Sequence, residues 1–574
     1  MALLLIAAIA GCDDDIDTVR TIQLERQIQM QAKSDLDHLG EATRLLSTLV
    51  ELNSENANQQ IVYHLNRWAE SQSELSADAA PEILKTLSTV APVDQLSQRV
   101  TRSDYSGADI PHLRDAYLFK KLTEWINTEV RDDILLEDWF ADFDAADGGT
   151  EDDHGRTAAD KLQTAARLFD WTIRNIALEP LQAIYPPQLP RPKLAPGVDF
   201  EGPGYRQSDF ETLMRGSGDS YQRAGVFTQL CAQAGIPAAV LATLSATDGE
   251  LTPWAVGVLV GTEIYLFDPQ LGMFIPGPSQ SGIATLSEAR RDASIMRRLT
   301  VQGFFDYPLT KDDVQQSIAL LNALPESLAP RMLRLENGFT GDRRLTLFTD
   351  TESVAERFDA VTGISGVRLW TVPVIQESYH VALEKFSERD PIFNFWYRSR
   401  WTMLEAEIKA SRDLTLGRWR HLTGSFADDK EENVSGARTL YIGQRAPEFE
   451  IDDLRIDVEL QKIYGIRREL GVDPQVYEQQ VAQVQELMRQ GKRTASYWVS
   501  LVQYDDGRFE TAGNWLGKRV LDESQPSRWF PAARYNWART AEQIGDADKA
   551  IELYKTDGDP QEHGNRIRAR LLSR

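Results

Sequence analysis

Two side chains with the chemistry of a nucleophile, Ser220 and Cys231, fall in one predicted helix. The segment opens with Gly218-Asp219-Ser220-Tyr221 and closes with Gly235-Ile236-Pro237, a normal helix stop. Ser220, Ala224, Phe227, Cys231 and Ala234 share one face at helical spacing. Nucleophilic catalysis needs more: an anion-favouring helix start, an imidazole base and a third group that orients the base. Asp268, followed by Pro269, is of the type that orients a base. The histidines are His38, His64, His112, His154, His380, His421 and His563, and none lies between Ser220 and Asp268. A hydroxyl without a base is barely nucleophilic, so Ser220 reads as a helix N-cap and Asp268 as a strand terminator. Cys231 lies about 16 Å along the helix from Ser220 at the standard rise, away from the helix dipole, and reads as a buried structural thiol.

The elements around these residues are predicted from local pattern. Thr164 to Ile176 is an amphipathic helix, and Ala238 to Ala242 begins a sheet. Val256–Val260, Gly261-Thr262 and Glu263–Phe267 read as a β-hairpin with a two-residue turn. Counting outward from that turn sets Ala255 opposite Asp268, and a slip of one residue would offer Trp254 or Val256 instead. No residue from Leu251 to Gly261 has a titratable side chain.

This skeleton is Phe169-Asp170-Trp171 with Asn175-Ile176, Gly218-Asp219-Ser220 with Gly235-Ile236-Pro237, and Phe267-Asp268-Pro269 after a hairpin. It resembles the transglutaminase-like superfamily over residues 156–300, about a quarter of the chain. The resemblance implies a papain-like α+β core. It implies a cysteine nucleophile where Ser220 stands, a histidine where Ala255 stands, and the aspartate at Asp268. Both the thiol and the imidazole are absent, so the resemblance implies the fold without its usual reaction. The expected role is protein or peptide binding in the former cleft, lined by Ser220, Trp254 and Asp268, with no cofactor and no metal. Two other roles stay open. One is an active hydrolase or amidotransferase in which Ser220 or Cys231 meets a histidine from elsewhere, such as His154 or His380. The other is a purely structural envelope protein.

The rest of the chain bounds these roles. At 574 residues, roughly three or four domains of ~150 residues are expected, and 42% hydrophobic content suffices for ordinary cores. A net charge of -25 argues against nucleic-acid binding and against electrostatic docking on anionic lipid. Residues 1–12 resemble a lipoprotein signal, with Ile9-Ala10-Gly11-Cys12 similar to a bacterial lipobox. That resemblance implies lipidation at Cys12 and an extracytoplasmic, membrane-anchored protein. No basic residue precedes the apolar run, so the true start of the chain is open.

The expected architecture is multidomain α+β. Residues 13–155 read as an α-helical domain that begins with a long helix to about residue 60. The acidic stretch Asp142 to Gly149, with Asp152-Asp153, reads as a solvated linker, since its third acid is one residue late for a calcium loop. Tyr185 to Gly197 is a proline-rich connector. Residues 301–475 form a mixed α/β region, with strands at Arg344–Phe348 and Val367–Trp370 around a helix from Glu352 to Ala360. Residues 476–574 carry a tetratricopeptide-like repeat, in which Gly507, Phe509, Ala512 and Leu516 match Gly545, Ala547, Ala550 and Tyr554. Such repeats bind protein segments, which adds a second expected contact surface.

Overall fold

A computed structural model describes residues 37–49, 54–72, 93–147, 155–181, 203–244, 249–399, 411–464, 466, 473–522 and 527–574. The lipobox, the start of the N-terminal helical region and the proline-rich connector lie outside the described residues. The chain divides into two compact units, the smaller holding residues up to Glu74 together with Asp104–Ile110.

The smaller unit contains α1 (His38–Ser47) and α2 (Ser54–Ala69). These replace the single long helix expected from the sequence. Asp37 caps α1 by accepting from the Gly40 N–H at 2.8 Å, and the helix ends at Thr48. Leu39, Ala42, Leu45 and Leu46 form its buried face, which packs on α2.

The larger unit is α+β. Every described regular element from Val93 to Asp147 is helical, including α3 (Ile110–Glu129). Asp142–Asp147 belongs to the helix Glu137–Asp147, not to a loop as the sequence suggested. The reason is aromatic packing: Phe143 meets Tyr265 edge-on at 6.1 Å, and Trp139 lies over Gly282. The chain continues through α4 (Ala158–Asn175), β1 (Ala177–Leu178), α5 (Asp209–Arg215) and β2 (Ser217–Gly218) into α6 (Ser220–Gln233). β1 and β2 pair in parallel, which fixes the chain just before α6 begins.

After α6 come β3 (Ala238–Leu244), β4 (Leu251–Val260), β5 (Glu263–Asp268), β6 (Met273–Phe274), β7 (Ser317–Leu321), α7 (Thr351–Asp359) and β8 (Ile364–Leu369). The six strands from β3 to β8 form one mixed sheet in the order β6-β5-β4-β3-β7-β8. Within this sheet β7 and β8 pair in parallel and the other neighbours antiparallel; a helical crossover that includes α7 joins β7 to β8. The expected hairpin forms, with Val260 opposite Glu263 and Val256 opposite Phe267. One face of the sheet carries α4 and α6. Phe169, Phe227 and Phe267 lock that layer, with ring centroids 5.0 to 5.3 Å apart. The other face buries Leu241, Leu259, Leu266, Ala319 and Leu321 against Leu286, Ile295, Phe358 and Ile567.

Arg344–Phe348 is not a strand. Its backbone bonds side chains instead: the Thr346 N–H donates to Gln233 Oε1 at 3.1 Å, and the Leu347 and Phe348 N–H groups donate to Glu336 Oε2. The last part of the unit is helical: α8 (Val372–Ser387), α9 (Arg412–Leu422), α10 (Pro474–Asp505), α11 (Phe509–Trp515), α12 (Phe530–Gln543), α13 (Ala547–Tyr554) and α14 (Glu562–Leu572). Gly507 and Gly545 occupy equivalent turns between helices with φ of 72° and 80°, a region that favours glycine. Ala512 and Ala550 are both fully buried.

Candidate functional site

The head of α6 is built by Asp219. Its backbone is extended and its carboxylate accepts from the Tyr221 and Gln222 N–H groups at 2.9 Å each. The Gln222 side chain returns to the Asp219 N–H at 2.9 Å, closing a capping box. Gly204 N–H donates to the second carboxylate oxygen at 2.8 Å. Asp219, not Ser220, is therefore the N-cap, and Ser220 is the first helical residue. A carboxylate answers both the free N–H groups and the positive end of the helix dipole, so it outcompetes a hydroxyl one position on. Burial raises the Asp219 pKa, opposed by the N–H groups of Gln222, Gly204 and Tyr221. Ser220 is 8% exposed. Cys231 is fully buried in the middle of the unit, and burial alone pushes its thiol pKa far up.

Asp268 ends β5 and is equally occupied. One carboxylate oxygen accepts from the Gln270 and Leu271 N–H groups at 2.9 Å, forming an Asx turn into β6. The other accepts from the Tyr307 hydroxyl at 2.8 Å. Burial lifts the carboxyl pKa to about 6 against the pull of these donors. The register places Ala255 next beyond the Val256–Phe267 pair, as the sequence predicts, and its methyl group has nothing for Asp268 to orient. The β3–β4 register shifts between Leu241 and Ala242, so Trp254 is the extra residue between the paired Pro253 and Ala255. Its ring packs on the core cluster of Leu241, Leu259 and Leu266, and its indole N–H is buried without an acceptor.

Each described histidine is engaged elsewhere. His112 Nε2 meets the Leu347 carbonyl at 2.9 Å, His380 the Tyr397 hydroxyl at 2.7 Å, and His563 the Leu299 carbonyl at 2.6 Å. His421 meets Asp505 at 2.9 Å, and His38 meets His64 at 2.8 Å within the smaller unit. Among the described residues no hydrogen bond joins Ser220 or Cys231 to an imidazole; His154 lies outside them.

Sequence reasoning missed what surrounds the two positions. Arg223, one turn after Ser220, is 1% exposed and donates only to neutral oxygens. It bonds the Ile176 carbonyl at 2.9 and 2.6 Å, the Pro269 carbonyl at 3.1 Å and Gln561 Oε1 at 2.8 Å. Burial lowers its pKa to about 9. The guanidinium thus ties the end of α4, the Asp268 turn and the start of α14 to one point. α14 presses on that turn so closely that a Cβ at Gly564 would collide with the Leu271 carbonyl oxygen.

A buried ionic network holds the C-terminal helices on the core. Arg174 of α4 bridges Asp170 at 2.8 Å and Asp505 of α10 at 2.7 Å. Arg539 of α12 reaches Asp170 at 2.7 Å, Glu542 at 3.1 Å and Asp133 at 3.4 Å. Arg568 of α14 reaches Asp133 at 2.7 Å and Glu542 at 2.6 Å. Burial alone would raise the Asp505 pKa, but Arg174 and His421 outweigh it and hold the group at about 2.

A cleft of about 720 Å³ opens beside the head of α6. Tyr221 and Pro253, the chain neighbours of Ser220 and Trp254, line it with Tyr205, Glu250, Arg368 and Trp370. Ser220, Trp254 and Asp268 themselves do not line it. Comparison of the chain with protein-family models, curated proteins and solved structures finds no match.

Proposed function

We propose that this is a transglutaminase-like protein, lipid-anchored outside the cytoplasm, that binds a protein or peptide segment instead of running the superfamily's acyl-transfer chemistry. The observation that carries the reading is the occupation of the two inherited positions. Asp219 takes the N–H groups at the head of α6, and Asp268 spends both oxygens on a turn and on Tyr307. A cleft with three aromatic side chains lies next to them. Its volume falls in the range of ~300–1,000 Å³ typical of ligand pockets.

The test compares two substitutions on the purified chain. A random-peptide display selection supplies the ligands, and the same chain is assayed for amine incorporation and ester hydrolysis. Binding that falls with Tyr221→Ala and survives Ser220→Ala, with no turnover, is the expected result. Turnover abolished by Ser220→Ala would overturn the proposal.

A further inference from the structure

Strand β8 closes the mixed sheet on one side. Its six residues, Ile-Ser-Gly-Val-Arg-Leu, include no proline and one charge, Arg368. Edge strands in soluble proteins are normally blunted by proline, bulges or a covering element. The Trp370 N–H bonds inward to the Leu321 carbonyl at 2.8 Å. Alternation then points the peptide groups of Val367 and Leu369 outward; Ser365, at the start of the strand, is the extra residue of a bulge and turns its hydroxyl to the Ser317 carbonyl at 3.3 Å. Among the described residues nothing bonds that outer edge. The cleft runs along the same strand, since Val367, Arg368, Leu369 and Trp370 all line it.

Two donors beside the edge lack acceptors. Arg368 is exposed and makes no ion pair among the described residues, in a chain whose net charge is -25. The Trp370 indole N–H is buried and has no partner among the described residues, on a residue 4% exposed. Arg368 stands opposite Leu320, which also lines the cleft. Glu250 is the one acidic residue among the described lining residues, and it lies at the start of β4, away from β8 in the sheet.

We infer that the cleft's ligand is an extended peptide segment that adds as a strand to the outer edge of β8 and sets an Asp or Glu side chain against Arg368. Main-chain hydrogen bonds to Val367 and Leu369 give the affinity, and the carboxylate gives register. This rests on the cleft being the binding site, as proposed above.

The experiment uses peptides selected from a random displayed library on the full chain, each resynthesised with Glu or Asp and with Gln or Asn. Val367→Pro removes one outward N–H, on the side of an edge strand that tolerates proline. Arg368→Gln removes the charge. The expected result is loss of binding with Val367→Pro and at least about tenfold weaker binding with Arg368→Gln. The amide-bearing peptides should be insensitive to Arg368→Gln. Hydrogen exchange at the Val367 and Leu369 amides should slow on binding. Peptides that need Tyr221 but ignore both β8 substitutions would overturn strand addition and leave the cleft reading standing. A selection that yields no cleft binder would overturn both. Self-association abolished by Val367→Pro would make a second copy the occupant and overturn the peptide.

Discussion

Replacing Asp268 by asparagine should make the protein more stable at pH 8, not less. The carboxyl is 2% exposed and titrates at about 6 in the folded chain, against 3.8 for the ordinary group. The folded state therefore holds this proton more tightly than the unfolded state. Its favourable contribution is complete below pH 3.8 and is lost as pH rises through 6. The difference of about 2.2 pH units corresponds to about 3 kcal/mol, all of it withdrawn by pH 8. An asparagine keeps the carbonyl acceptor for the Gln270 and Leu271 N–H groups, and its amide donates to the Tyr307 oxygen. Urea midpoints of the wild type and of Asp268→Asn between pH 4 and pH 8 read the effect directly. The wild-type curve should fall relative to that of the variant by up to about 3 kcal/mol across that window. Tyr307→Phe is the companion, since it strips one donor from the ionised carboxylate. It should cost about 1.5–3 kcal/mol at pH 8 and less at pH 4. A stability difference between the wild type and Asp268→Asn that stays constant from pH 4 to pH 8 would refute the argument.

Three further outcomes are expected. Asp219→Ala should cost about 1–2 kcal/mol by loss of the cap, whereas Ser220→Ala should change stability by less than about 0.5 kcal/mol; urea unfolding separates the two. Arg539→Met should cost at least about 3 kcal/mol, because Asp133, Asp170 and Glu542 lose a buried counter-charge, and Arg539→Lys, which keeps the charge, should cost less in the same unfolding assay. Gly564→Ala should drive its new methyl group into the Leu271 carbonyl and loosen α14, seen as faster cleavage after Tyr554 in limited proteolysis with the β3–β5 amides still protected.

The parts of this structure that follow from neighbours in sequence were legible. The helix Ser220–Gln233, its stop at Gly235 and the hairpin around Gly261-Thr262 all rest on local periodicity and turn chemistry. The cap was misplaced by one residue because aspartate and serine are both common caps, and what decides between neighbours is which backbone is extended and which side chain also answers the helix dipole. Arg344–Phe348 alternates like a strand, but a strand needs a free edge to join, and Gln233 and Glu336 reach its backbone first. Asp142–Asp147 looked like a solvated acidic loop because the packing of Trp139 and Phe143 is set by residues more than a hundred positions away. The buried arginines were invisible for the same reason. Composition assigns them to the surface, and only the partnership of Arg568 with Asp133, 435 positions apart, reverses that. The cleft has no signature at all, because Tyr221, Pro253 and Trp370 converge only after the sheet is assembled.

That long-range partnership has a consequence for how the chain comes into being. Synthesis delivers Asp133 first and Arg568 last, and at ~5–20 residues per second the 435 positions between them take roughly 20 to 90 s. For most of that interval, until Arg539 arrives, Asp133 lacks both of its buried counter-charges. One face of the sheet also waits for Ile567, which completes its core. The closing of the centre therefore waits on α14. A chain cut short before Glu562 would lose the Arg568 counter-charge and the Ile567 packing together.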